Sequence, residues 1–126
     1  IANGKHNNYQ LSVSLHNDSQ GLNVVCGFDL RFNEKNKFQI LKLVSSINAQ
    51  IWLGHFDIWD KEGLIVYRNS SILDKRSLNL ETIETLLIDA INSIDLYFPA
   101  FQYILWAGKT SEEALSTVLF ETRGEA

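Results

Sequence analysis

The chain has 126 residues, 45% of them apolar and 21% charged, and a formal net charge of -4. That length makes one domain, large enough to bury a core without metal or disulfide staples. The acidic balance excludes a phosphate-neutralising surface: the densest basic patch, Lys35, Lys37 and Lys42, is diluted by Glu34, so neither nucleic acid nor an anionic membrane is an expected partner.

Residues 1–8 are polar and rich in Asn and Gly, and read as a flexible lead-in to a single domain over 9–126. From Tyr9 the pattern alternates, with Tyr9, Leu11, Val13 and Leu15 apolar and the residues between them polar. Period two predicts a strand with one wet face. Asn17 to Gly21 carry turn chemistry, and Leu22, Val24, Cys26, Phe28, Leu30 and Phe32 then repeat the alternation. A tight hairpin would pair Leu15 with Val24, Val13 with Cys26, Leu11 with Phe28 and Tyr9 with Leu30.

Asn33 or Asn36 offers a cap to a helix whose stripe is Ile40, Val44, Ile47 and Ile51, running to about Gln50. Trp52 to Trp59 is aromatic-rich and β-prone, Asp60-Lys61-Glu62-Gly63 makes a turn, and Leu64 to Arg68 return as a strand. A tight register sets Phe56 against Tyr67, Ile58 against Ile65 and His55 against Arg68. One face of this second hairpin, with Trp52, Phe56, Ile58, Ile65 and Tyr67, should look at the core. The other face is mixed: Leu53, His55, Asp57, Trp59, Leu64, Val66 and Arg68.

Ile72 to Leu78 is a further strand or only a connection. Asn79 then caps a helix with the stripe Ile83, Leu86, Leu87, Ala90, Ile91, Ile94 and Phe98. Pro99 is expected to break or restart it, Gly108 to cap its end, and Thr110-Ser111-Glu112-Glu113 to box the start of the last helix. The order predicts an α+β fold: an antiparallel sheet of two hairpins, with a fifth strand possible, and helices packed on it.

The chain offers few candidates for chemistry. His55 and Asp57 lie two apart on a strand, with Arg68 across from them, and this is general-base or metal-ligand material. No third ligand or nucleophile completes a motif, so the group reads as a surface polar cluster. Cys26, the only cysteine, falls on an apolar face between Val13 and Phe28 and reads as a core thiol. A lone thiol also points to a reducing compartment, the cytoplasm. The glycines are scattered and form no phosphate loop. Glu112 and Glu113 suit a helix start. Asp89 and Asp95 read as solvated helix residues, and His6 and His16 as exposed. Trp52 and Trp106 are assigned to the core, whereas Trp59 sits on the mixed face. A face so apolar is covered by a helix of this chain or by another chain. No cofactor or metal is called for. No run of ~18 apolar residues exists to span a bilayer. Methionine is absent and Ile1 opens the chain, which reads as a domain taken from a longer protein.

Three segments, LGHFDIWDKEGLIVYRNS (Leu53 to Ser70), YFPAFQYILWAGKTSEEAL (Tyr97 to Leu115) and the FDLRF that closes the first hairpin, resemble the YbjN-like family of bacterial sensory transduction regulators. The resemblance implies a fold like that of type III secretion chaperones. It carries no catalytic residue across. By analogy of fold alone it implies a homodimer that holds a protein or peptide segment. The expected function is therefore a non-enzymatic regulatory or chaperone-like domain, with Leu53, His55, Asp57, Trp59, Leu64, Val66 and Arg68 as its partner-binding surface. The alternatives are a small-ligand sensor, or a hydrolase or metal-dependent enzyme using His55, Asp57 and Asp60.

Overall fold

The computed structural model describes residues 2–4, 7–16, 21–73 and 80–124. In chain order the elements are β1 (Ala2–Asn3), β2 (Asn8–His16), β3 (Gly21–Arg31), α1 (Lys37–Asn48), β4 (His55–Trp59), β5 (Leu64–Ile72), α2 (Leu80–Ala107) and α3 (Ser111–Gly124). The strands form one antiparallel sheet in the order β1-β2-β3-β5-β4. The architecture is the expected α+β one: two hairpins joined through β3 and β5, three helices packed on the sheet, and no closure into a barrel.

The second hairpin has the register read from sequence, with His55 opposite Arg68, Phe56 opposite Tyr67 and Ile58 opposite Ile65. Its turn closes through the Gly63 N–H to the Asp60 carbonyl at 3.2 Å, with Gly63 at φ +65. The first hairpin is tighter than expected. Val13 pairs with Val24, Leu11 with Cys26 and Leu15 with Leu22, two residues from the anticipated partners. An even shift leaves every side chain on its face, so the apolar residues still share one side. The turn residues 17–20 lie outside the described residues.

The additional strand is Ala2–Asn3, which pairs with Asn8 and Tyr9. β5 runs on to Ile72; the rest of the segment in which a fifth strand was sought, from 74, lies outside the described residues, as do His6 and the cap position Asn79.

β3 carries an irregularity that alternation hides. Gly27 faces Val66 and Arg31 faces Leu64, so four residues of β3 span two of β5. Asp29 within this bulge has φ 56, a left-handed conformation that Asp tolerates better than most residues. Bulges bend and twist the strand that carries them.

The core lies between the sheet and the helices and is dominated by rings. Phe28 meets Phe56 at 6.0 Å between centroids, Phe101 at 5.9 Å and Phe98 at 6.1 Å. Phe56 meets Tyr67 at 5.1 Å and Tyr97 at 5.9 Å. Leu86, Ala90, Ile94, Phe98, Phe101 and Ile104 of α2 and Ile40, Leu43 and Ile47 of α1 close over them. Pro99 does not break α2, which is continuous over 28 residues. Proline removes one i→i−4 bond, but Phe98, Ala100 and Phe101 on either side of it are buried and hold the segment in place. Gly108 ends α2 with φ +66. Thr110 caps α3, its Oγ1 accepting from the Glu113 N–H at 3.2 Å and donating to Glu113 Oε1 at 3.0 Å. Asn33 and Asn36 fold into a mutual turn ahead of α1: Asn36 Oδ1 accepts from the Asn33 N–H at 2.8 Å.

Two assignments are corrected at the tryptophans. Trp52 is 91% exposed and Trp106 71%. Trp52 lies in the connection before β4 begins at His55, so strand alternation does not govern it. Trp106 stands in the last turn of α2, off the buried stripe.

Asp89 and Asp95 are corrected as well: neither is simply solvated. Tyr9 Oη donates to Asp95 Oδ1 at 2.5 Å. Tyr67 Oη donates to Asp89 Oδ2, which also receives Asn69 Nδ2 at 2.8 Å. Asn69 Nδ2 reaches the Leu86 carbonyl at 2.9 Å too. The two carboxylates flank the apolar stripe of α2 and tie it to β2 and β5.

Replacing Phe28 by Ala should lower unfolding stability by about 3–5 kcal/mol, whereas Trp106→Ala should change it by less than about 0.5 kcal/mol. Urea denaturation followed by circular dichroism checks both; equal losses would contradict the placement of the two rings.

Candidate functional site

Antiparallel pairing sends alternate residues to opposite faces. With the helices on one face, the other carries Gln10, Ser12 and Ser14 of β2, Asn23, Val25 and Gly27 of β3, Leu64, Val66, Arg68 and Ser70 of β5, and His55, Asp57 and Trp59 of β4. The registers set Gln10, Gly27, Val66 and Asp57 in one row across four strands, and Ser12, Val25, Arg68 and His55 in the next. The mixed face is thus not covered by helices of this chain among the described residues.

Six of the seven residues singled out from sequence come together on this face. The seventh, Leu53, does not. It precedes β4, packs against the core and lies with its carbonyl 2.9 Å from Tyr67 Oη. Gly54 permits that approach: it has φ +72, and a Cβ there would run into the Tyr67 hydroxyl.

The face is concave. A depression of about 400 Å³ is lined by Gln10, Ser12, Val25, Gly27, Trp59, Leu64 and Val66, with Leu11 and Ile65 at its floor. Every wall residue belongs to a strand. Val66 is 1% exposed although no helix lies over it, while Trp59 at the rim is 40% exposed. Gly27 supplies the space, since a Cβ built there meets nothing within 4 Å. A second depression of about 400 Å³ lies beside it, lined by Ser14, His16, Asn23, Arg68, Ser70 and Ile72 among others.

The polar residues of the face do not converge as catalytic machinery does. Arg68 Nη1 lies 3.5 Å from Asp57 Oδ2, and Asp57 Oδ1 accepts from the Ile58 N–H at 2.8 Å. Asp60 is engaged elsewhere, by Lys37 Nζ at 2.7 Å, a hydrogen bond that pushes the lysine's pKa up. His55 is exposed opposite Arg68 and makes no hydrogen bond to Asp57. Among the described residues no three His, Cys, Asp or Glu side chains gather as a metal site.

The profile of the family described as "Putative bacterial sensory transduction regulator", YbjN, matches residues 1–103. The chain belongs to the YbjN family. No curated protein and no solved structure shows significant similarity to it. The YbjN match takes in every strand, α1 and most of α2, and therefore the whole bare face; α3 lies beyond it. No helix among the described residues is long and apolar enough to cross a membrane.

The titratable groups under the sheet are inert by design of their surroundings. Burial, with Asp95 nearby, pushes the Cys26 thiol from 9.0 up to about 12. Burial first, then the hydrogen bond to Asp89, pushes the Tyr67 phenol above 10.0, and burial does the same to Tyr97. All three are acids that the fold keeps neutral, so the folded state holds these protons more tightly than the unfolded one. Their contribution is complete below about pH 9 and is lost as pH rises from there toward 12. The urea midpoint should therefore fall between pH 9 and pH 11, and less steeply in Cys26→Ala. At pH 8 a thiol reagent should label Cys26 only after denaturant is added; rapid labelling of the native protein would contradict its burial.

Proposed function

We propose that this chain is a non-enzymatic regulatory domain, working in the cytoplasm as a homodimer, that holds an extended peptide or protein segment on the bare face of its sheet. One observation carries this reading: a concave sheet face containing Trp59, Leu64 and Val66 is left without helices, in a fold that has three helices to place. Contiguous apolar surface on a solvent face marks an interaction site, and an exposed aromatic at its rim is the usual anchor of one. Two depressions side by side along the strands suit an elongated occupant better than a compact one, which favours a segment over a small ligand. Against an enzymatic role stand the pairing of Asp57 with Arg68 and of Asp60 with Lys37, which leaves His55 without a carboxylate partner among the described residues.

The sheet's edges support the dimer. At β4, Asn48 of α1 accepts the Phe56 N–H at 2.8 Å and donates to the Phe56 carbonyl at 3.0 Å, and the Asp57 side chain takes the Ile58 N–H. That edge is blocked. At β2, β1 pairs only with Asn8 and Tyr9, and the outer edge beyond Tyr9 is unpaired among the described residues, beside exposed Val13 and Leu15. An open edge of this kind invites a second strand.

Peptides selected for binding by display against the full chain test the face. Trp59→Ala should weaken them by about 30-fold or more, as loss of a hot-spot residue does. Gly27→Val, whose Cβ enters open space and whose methyls fill the depression, should block them, with circular dichroism showing that the fold is kept. Trp52→Ala, which removes a more exposed indole off the face, should leave them unchanged. Binding that survives Trp59→Ala and Gly27→Val but not Trp52→Ala would move the site off the sheet. By sedimentation the protein should run as a dimer, and Val13→Lys with Leu15→Lys should reduce it to monomer; a wild-type monomer at high concentration would remove the dimer.

A further inference from the structure

Two of the depressions on the bare face differ in chemistry. The first is apolar, lined by Trp59, Leu64, Val66 and Val25 without a charged side chain. The second is richer in hydrogen-bond donors, the hydroxyls of Ser14 and Ser70, the Asn23 amide, His16 and the Arg68 guanidinium, beside the apolar Ile72, with no carboxylate among the described residues that line it. They meet at Val25 and Arg68, which are direct cross-strand partners.

Arg68 is under-employed where it stands. Its one ion partner among the described residues, Asp57, is at 3.5 Å and already receives a backbone N–H. Its Nε is shut off from solvent with no hydrogen-bond partner. A buried donor left unmet is unfavourable, so this pose is a resting one. Turning toward the second depression would present Nε and an Nη as the planar fork that grips a carboxylate through two parallel bonds.

Resting on the peptide-binding reading above, we infer that the bare face selects a segment that places an Asp or Glu side chain at Arg68 and an apolar side chain in the depression beside Trp59. On an extended strand, residues two apart point the same way, about 6.6 Å from each other. That is also the spacing of Val66 and Arg68 along β5. The occupant is therefore an extended acidic segment with the pattern apolar-x-acidic, carrying its carboxylate on the same side as its anchor. A single guanidinium with Asp57 beside it suits one negative charge; a phosphate, with close to two, would meet the Asp57 carboxylate. A carboxylate side chain is thus favoured over a phosphorylated one.

The test uses fluorescent nine-residue peptides of alternating Thr and Leu, with one central Leu replaced by Glu, Gln, Lys or phosphoserine, titrated onto the full chain by anisotropy. The Glu peptide should bind about tenfold tighter than the Gln peptide, with phosphoserine weaker than Glu and Lys weakest. Arg68→Gln should erase the preference of Glu over Gln; Arg68→Lys, which keeps the charge and loses the fork, should retain part of it. Trp59→Ala should weaken the Glu and Gln peptides alike. Equal binding of Glu and Gln by the wild type, with both lost in Trp59→Ala, would overturn the carboxylate site and spare the peptide-binding reading. Phosphoserine binding above Glu would overturn it in favour of a phosphate site. Failure of all four peptides to bind would overturn both. Unchanged circular dichroism in the Arg68 variants keeps the comparison free of misfolding.

Discussion

Phe28 sits where the whole structure is decided. Its ring meets Tyr9 of the neighbouring strand, Phe56 of the far hairpin, and Phe98 and Phe101 of α2. Edge-to-face and tilted contacts of this kind add to the area the rings bury. Because they join both hairpins to one stretch of α2, the helix has a single seat. α1 and α3 then follow it: α3 packs on α2 and α1, and Gln39 of α1 accepts the Ser111 N–H at 2.9 Å across that junction. Once the rings commit the helices to one side, the other side of the sheet is left to solvent or to a partner.

What was legible in the sequence follows from what is local. The Asp60 to Gly63 turn is short and specified, so the second hairpin's register could be read off. The first turn is not specified in length, and an error of two residues preserves every facing relation, so alternation could not detect it. The same arithmetic hides the bulge at Asp29, where two extra residues leave the in-out pattern of β3 unbroken. The aspartates were misread for a different reason. Their partners, Tyr67 for Asp89 and Tyr9 for Asp95, lie 22 and 86 residues away, and no helical periodicity reports such a contact. The mixed face was readable as a group. Leu53 was lost from it because the strand starts at His55, three residues later than the aromatic run suggested, and the depression itself was invisible because it depends on a missing side chain at Gly27.

The two edges of the sheet show how the fold governs its own associations. An edge strand presents free N–H and C=O groups to any passing strand. Asn48 answers β4 with an amide that copies a neighbouring strand at Phe56, and Asp57 folds onto the next outward N–H. Neither device costs a place in the core, since Asn48 sits at the end of α1 and Asp57 on the bare face. Among the described residues, β2 has only the two residues of β1 at its start. One edge of the sheet is thus blocked and the other, among the described residues, is left open.

The distribution of polarity across the sheet argues that the bare face is kept for use. A sequence chosen for stability alone would place its polar residues toward water and its apolar ones beneath the helices. Here Asn69 and the Asp89 carboxylate are drawn in under α2, while Val66, Leu64, Val25 and Trp59 are set on the side without helices. The inward polar groups bond one another and fix where α2 lies, as connected polar networks do. The outward apolar ones have no such internal task. Arg68 stands among them with a donor that nothing among the described residues meets. Departures from local consistency are where function is looked for first, and on this face they are one arginine and one tryptophan.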